Sequence, residues 1–108
     1  MPTYNAEDFD AEELAEDLAE RGFKHLRVRR RGPALTIESG SKTDPIAHAR
    51  LRRETVSLWR LEMPTSSGWE PTPYRETMDR QLVRLTTELS WALAPRPRIP
   101  IRTSGPKY

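Results

Sequence analysis

The sequence predicts an α+β fold: an antiparallel β-meander of four to five strands, with an N-terminal and a C-terminal helix packed on one face. Three observations lead there. The stretch Thr77–Ala94 repeats apolar residues every three and four positions, the mark of a helix lying on a core. Upstream of it, several short segments alternate apolar and polar residues, the period of a half-buried strand. The links between them are short and rich in Gly, Pro and Ser, which favours hairpins and so antiparallel pairing.

Residues 1–8 are expected to be frayed, and a single domain is expected over residues 9–94. The first helix reads as Ala11–Arg21. Asp10 can cap it, Glu13 completes a box with that cap, and Phe9 can staple to Leu14. Gly22 suits the left-handed position after a helix, which lets Phe23 fold back on Leu18. The apolar side of this helix is narrow (Ala11, Leu14, Ala15 and Leu18), so it belongs at the edge of the core.

Lys24–Arg30 reads as a strand with Leu26 and Val28 inward and His25, Arg27 and Arg29 outward. Arg31-Gly32-Pro33 is turn chemistry, and Ala34–Ser39 follows with Leu35 and Ile37 inward. After a loop, Ile46–Arg53 places Ala47, Ala49 and Leu51 on one side and His48, Arg50 and Arg52 on the other. Val56–Met63 is a fourth strand with Trp59, Leu61 and Met63 on one face. Trp69–Tyr74 holds two prolines, which confines it to a sheet edge or to polyproline geometry. Thr77 then caps the long helix, in which Met78, Leu82, Leu85, Leu89, Ala92 and Leu93 form a stripe about 100° wide, and Pro95 ends it. Residues 95–108, rich in Pro and Arg, read as an extended tail.

Composition narrows the function. The 108 residues contain no cysteine, so disulfides, thiol nucleophiles and thiolate metal sites are excluded. The N-terminus is acidic where a signal peptide would be basic, and no apolar run approaches the ~20 residues of a membrane span. The expectation is a cytoplasmic protein with no membrane partner. The net charge of +2 hides an asymmetry. Residues 1–20 hold eight acids and no Lys or Arg, whereas all 18 basic residues, fifteen of them Arg, lie in residues 21–108 with the other eight acids. Such a chain can self-associate or present an anion-binding surface. GC-rich coding would also enrich arginine.

No catalytic motif, cofactor motif or metal-ligand spacing stands out, and the chain reads as not an enzyme. Ser39-Gly40-Ser41-Lys42-Thr43 resembles part of a P-loop, but position 35 is Leu where the upstream glycine belongs, and no helix follows. His25 and His48 fall on one sheet face with no third ligand near them, and read as surface histidines. The α-β-β-β-α order is similar to that of double-stranded-RNA-binding domains in topology alone. Those carry a lysine cluster at the start of the last helix, and here that start reads Thr77-Met78-Asp79-Arg80.

The candidate site is the outer sheet face. With the aliphatic residues turned to the helices, Arg27, Arg29, Arg50, Arg52 and Arg60 turn away from them, accompanied by Thr36, Glu38 and Glu62. Cross-strand neighbours lie about 5 Å apart, so these guanidinium groups crowd together unless acids or an anionic partner compensate. This face is the expected anion- or partner-binding surface. A second candidate is Trp91, on the polar side of the long helix near Arg84, as a contact for a partner or for the chain's own tail. The functional expectation is a small non-enzymatic binding or adaptor module that acts through protein contacts and self-associates, with a homodimer as the simplest form. The alternative is an RNA- or DNA-binding protein that uses the arginine face.

Overall fold

Five strands pair in chain order, each antiparallel to the next. The computed structural model describes residues 4–95. Its elements are α1 (Asp8–Glu20), β1 (Arg27–Arg31), β2 (Ala34–Ser41), β3 (Asp44–Arg53), β4 (Trp59–Thr65), β5 (Gly68–Glu76), α2 (Met78–Thr86) and α3 (Ser90–Leu93). The protein is an α+β meander with helices at either end of the chain, as the sequence periods predict.

One face of the sheet carries the core. Leu35, Ile37, Ala49, Leu51, Trp59 and Leu61 meet Leu14 and Leu18 of α1, Leu82 and Leu85 of α2, and Leu93 of α3. Strand alternation puts all of these sheet residues on one side. The helices cover that side and, among the described residues, leave the other bare.

The two ends of α1 illustrate how local chemistry sets its limits. The helix begins at Asp8, three residues earlier than the sequence suggests. Asp10 is therefore not the cap; from the third helical position its carboxylate accepts the Glu7 N–H at 2.9 Å. Phe9 is exposed and makes no staple. The C-terminal reading holds: Gly22 has φ 97°, and the Phe23 N–H reaches the Leu18 carbonyl at 2.9 Å. Fraying up to residue 8 is not what residues 6–8 do. Ala6 is only 2% exposed, and its N–H donates to the Gly32 carbonyl at 2.9 Å. Gly32, at φ 56° in the β1–β2 turn, points that carbonyl toward the N-terminal segment.

Two departures change the helix-covered side. The long helix expected over 77–94 is broken into α2 and α3. Thr86 and Thr87 are the cause: their hydroxyls donate to the Leu82 and Val83 carbonyls, at 2.8 and 2.6 Å, and such back-bonding bends helices. The Leu89 N–H then reaches five residues back, to the Arg84 carbonyl, at 2.9 Å. The second departure is a bulge. Ile37 pairs with Ala49 but Glu38 pairs with Ala47, so His48 is the extra residue. Ala47 goes to the outer face and His48 turns inward, where it is fully buried.

His48 is thus not a surface histidine. Its Nδ1–H donates to the Ala92 carbonyl at 2.8 Å. Its Nε2 lies 2.7 Å from the Ser39 hydroxyl. His25 lies outside β1, donates from Nε2 to the Leu93 carbonyl at 2.7 Å, and sits edge-on to His48 with ring centres 6.0 Å apart. His48 fastens α3 to β3, and His25 fastens it to the turn before β1.

Candidate functional site

The register builds the bare face in rows. One row runs Arg31, Ala34, Arg52, Arg60, Arg75 across all five strands. The next runs Arg29, Thr36, Arg50, Glu62, Pro71, and a third starts Arg27, Glu38, Ala47. All five arginines expected on this face are there, joined by Arg31 and Arg75.

Three glutamates compensate them, each shared between two arginines. Glu38 binds the Nε groups of Arg27 (3.0 Å) and Arg29 (3.2 Å). Glu62 binds those of Arg50 (2.6 Å) and Arg52 (3.4 Å). Glu54, from the β3–β4 loop, binds Arg60 (3.0 Å) and Arg75 (2.6 Å). Glu38 and Glu62 are 4% and 7% exposed, roofed by the arginines they bind. The face holds Arg27, Arg29, Arg31, Arg50, Arg52, Arg60 and Arg75 with these three carboxylates.

The arginines fall into two groups. Arg27 also donates from its Nη atoms to the Gly40 and Ser41 carbonyls, and Arg60 to Thr72 O and Glu54. Their donors are spent inside the fold, and both act as struts. Arg29, Arg50 and Arg52 use Nε alone, so their Nη groups have no hydrogen-bond partner among the described residues. With Arg31 they line a groove of about 580 Å³ whose floor is small: Gly32, Pro33, Ala34, Thr36 and Ala47. Trp69 stands at its side, with the Arg50 guanidinium 4.6 Å from the ring centre.

Trp69 adds an aromatic ring to this face. The hairpin fixes its side: Thr65 pairs with Gly68, so Trp69 lies opposite Pro64, two residues from outward-facing Glu62. The signal was the two-residue link Ser66-Ser67, which sets the register of β5.

Trp91, in α3, is 64% exposed. Arg84, expected near it, is turned elsewhere: its guanidinium lies 4.0 Å from the Tyr74 ring centre and pairs with Glu76 at 2.9 Å and Glu88 at 3.2 Å. Its pKa is raised, first by the Glu76 hydrogen bond. The expected contact of Trp91 with the tail falls on residues 96–108, outside the described residues. Among the described residues, no helix is long and apolar enough to cross a membrane.

Glu54 offers a test of the compensation. Its pKa is lowered, chiefly by the Arg60 hydrogen bond, against an opposing effect of burial, with Arg75 adding to the lowering. A lowered folded-state value means that the contribution is present above the unfolded value and is lost as pH falls through the folded one. Glu54→Gln should therefore lower Tm at neutral pH, with the gap to wild type closing below about pH 4. A pH-independent gap in thermal melts would show that the charge is not what Glu54 contributes.

Comparison of the chain with protein-family models, with curated proteins and with solved structures finds no match. The functional reading rests on this geometry.

Proposed function

We propose that the chain is a non-enzymatic binding module that acts through protein contacts, with the outer face of its sheet as the docking surface for an acidic partner. One observation carries this. The bare face holds Arg29, Arg31, Arg50 and Arg52 around a floor of small residues, with Nη donors not spent within the fold. Planar guanidinium groups suit carboxylates in paired hydrogen bonds. The carboxylates of Glu38 and Glu62 sit between the arginines, an alternation that fits a protein surface of mixed charge better than a continuous phosphate backbone.

A nucleic-acid ligand is the second reading, favoured by Trp69, since an aromatic ring beside basic groups is a platform for base stacking. Fluorescence anisotropy with a labelled poly-glutamate peptide and a labelled single-stranded oligonucleotide separates the two. At ~20 mM salt, where charges are least screened, the peptide should bind. Replacing Arg29, Arg31 and Arg52 by Gln should weaken it about tenfold or more, at roughly 0.5 kcal/mol per exposed pair lost. Binding of the oligonucleotide alone, weakened by Trp69→Ala, would install the second reading. Binding of neither would make the face an ordinary solvated one.

A further inference from the structure

We infer that the partner of the arginine face is helix α1 of a second copy of this chain, an inference that rests on the docking reading above. Helix α1 turns Leu14 and Leu18 into the core and half-buries Ala11 and Ala15. Glu12, Glu13, Glu16 and Glu20 occupy a sector about 100° wide on the opposite side. All four are exposed, and none has an ion pair among the described residues. Asp8 and Asp10 differ from them, since they pair with Arg30 and Arg53.

Arg21 caps the helix end and donates to the Asp17 carbonyl, but among the described residues it forms no ion pair with these glutamates. Glu12, Glu16 and Glu20 are four residues apart, a spacing at which like charges repel on a helix. The last turn of α1 holds no basic residue, so Glu20 sits where the helix dipole disfavours an acid. A basic surface laid along α1 would relieve both effects, and the chain has one.

Its own arginine face is out of reach. Helix α1 packs on the covered side of the sheet through Leu14 and Leu18, and Arg29, Arg31, Arg50 and Arg52 lie on the other side. The contact must therefore join two copies. The dimensions agree. Glu12 to Glu20 spans about 12 Å at 1.5 Å per residue. Arg31 to Arg52, two strands on, spans about 10 Å at 4.8 Å per strand. A helix crossing the strands can thus set Glu12 and Glu20 over Arg31 and Arg52, with Glu16 over Ala34 between them. Since the two surfaces differ and lie on opposite sides, the contact is head to tail. It leaves one free surface at each end and permits further copies to add.

Two variants test this. One replaces Glu12, Glu16 and Glu20 by Gln; the other replaces Arg29, Arg31 and Arg52 by Gln. Size exclusion with light scattering would be run at about 20 mM and about 500 mM salt, where screening differs several-fold. Wild type should exceed the mass of two chains as concentration rises at low salt, and fall to one chain at high salt. Each variant alone should be monomeric. An equal mixture should give a species of two chains and no larger, because only one complementary pair of surfaces is left. A monomeric wild type at low salt, a mixture that stays monomeric, or a dimer that persists in both variants would overturn the inference. The glutamate-to-glutamine variant should still bind the poly-glutamate peptide, which also reports that it is folded. Peptide binding without self-association would sink α1 as the partner and leave the docking face standing. Loss of both would sink the two together.

Discussion

Leu85→Ala is expected to lower the free energy of unfolding by about 2–5 kcal/mol, the usual cost of emptying a fully buried leucine site. Leu85 projects from α2 into the cluster formed with Leu51, Leu61 and Leu93. The companion variant Leu89→Ala should cost distinctly less, because Leu89 is half-buried in the turn between α2 and α3. On an unbroken helix the two leucines would stack one turn apart on the same stripe and cost similar amounts. Urea unfolding of both variants measures the difference. Equal midpoint shifts would contradict the break at Thr86-Thr87, and no shift in Leu85→Ala would contradict the placement of α2 itself.

Gln81→Leu should cost roughly 2–4 kcal/mol, from two buried carbonyls left without their donor at about 1–3 kcal/mol each, partly offset. The side chain is fully buried. Its Nε2 donates to Trp59 O at 2.7 Å and to Tyr74 O at 2.9 Å, so a single amide ties α2 to both β4 and β5. The offset comes from Oε1, which is buried with no partner among the described residues and which leucine removes. Leucine has nearly the same volume, so the loss reports the hydrogen bonds rather than a cavity. Chemical denaturation gives the number. A gain in stability would mean that the orphaned oxygen costs more than the two bonds contribute.

Gln81 also shows where sequence reading stops. It lies three residues after Met78 and four before Leu85, on the apolar stripe, where a polar residue carries no periodic signal. The periods of two and three-to-four are strong because each reflects one large term, the burial of a continuous face, and they set the fold class correctly. What they miss are compromises between groups distant in the chain. The bulge that turns His48 inward depends on pairing with β2 and on the Ala92 carbonyl, 44 residues away. The break after Thr86 arises from hydroxyls that compete with the helix ladder, and an apolar count does not see them. At the site, alternation placed the arginines correctly. It could not divide strut from free donor, because Arg27 and Arg60 are engaged by carbonyls of Gly40, Ser41 and Thr72 that only the folded register brings near.

The outer strands give the sheet one further property. Among the described residues β5 pairs only with β4, and it contains Pro71 and Pro73, which have no N–H to offer a neighbouring strand. Among the described residues β1 pairs only with β2, and four of its five residues are arginine. A second β1 laid against it would bring like charges within about 5 Å. Both margins of the ladder therefore discourage the strand-by-strand extension that leads to amyloid-like stacks. Concentrated protein can meet its neighbours through faces and helices without its backbone templating fibrils.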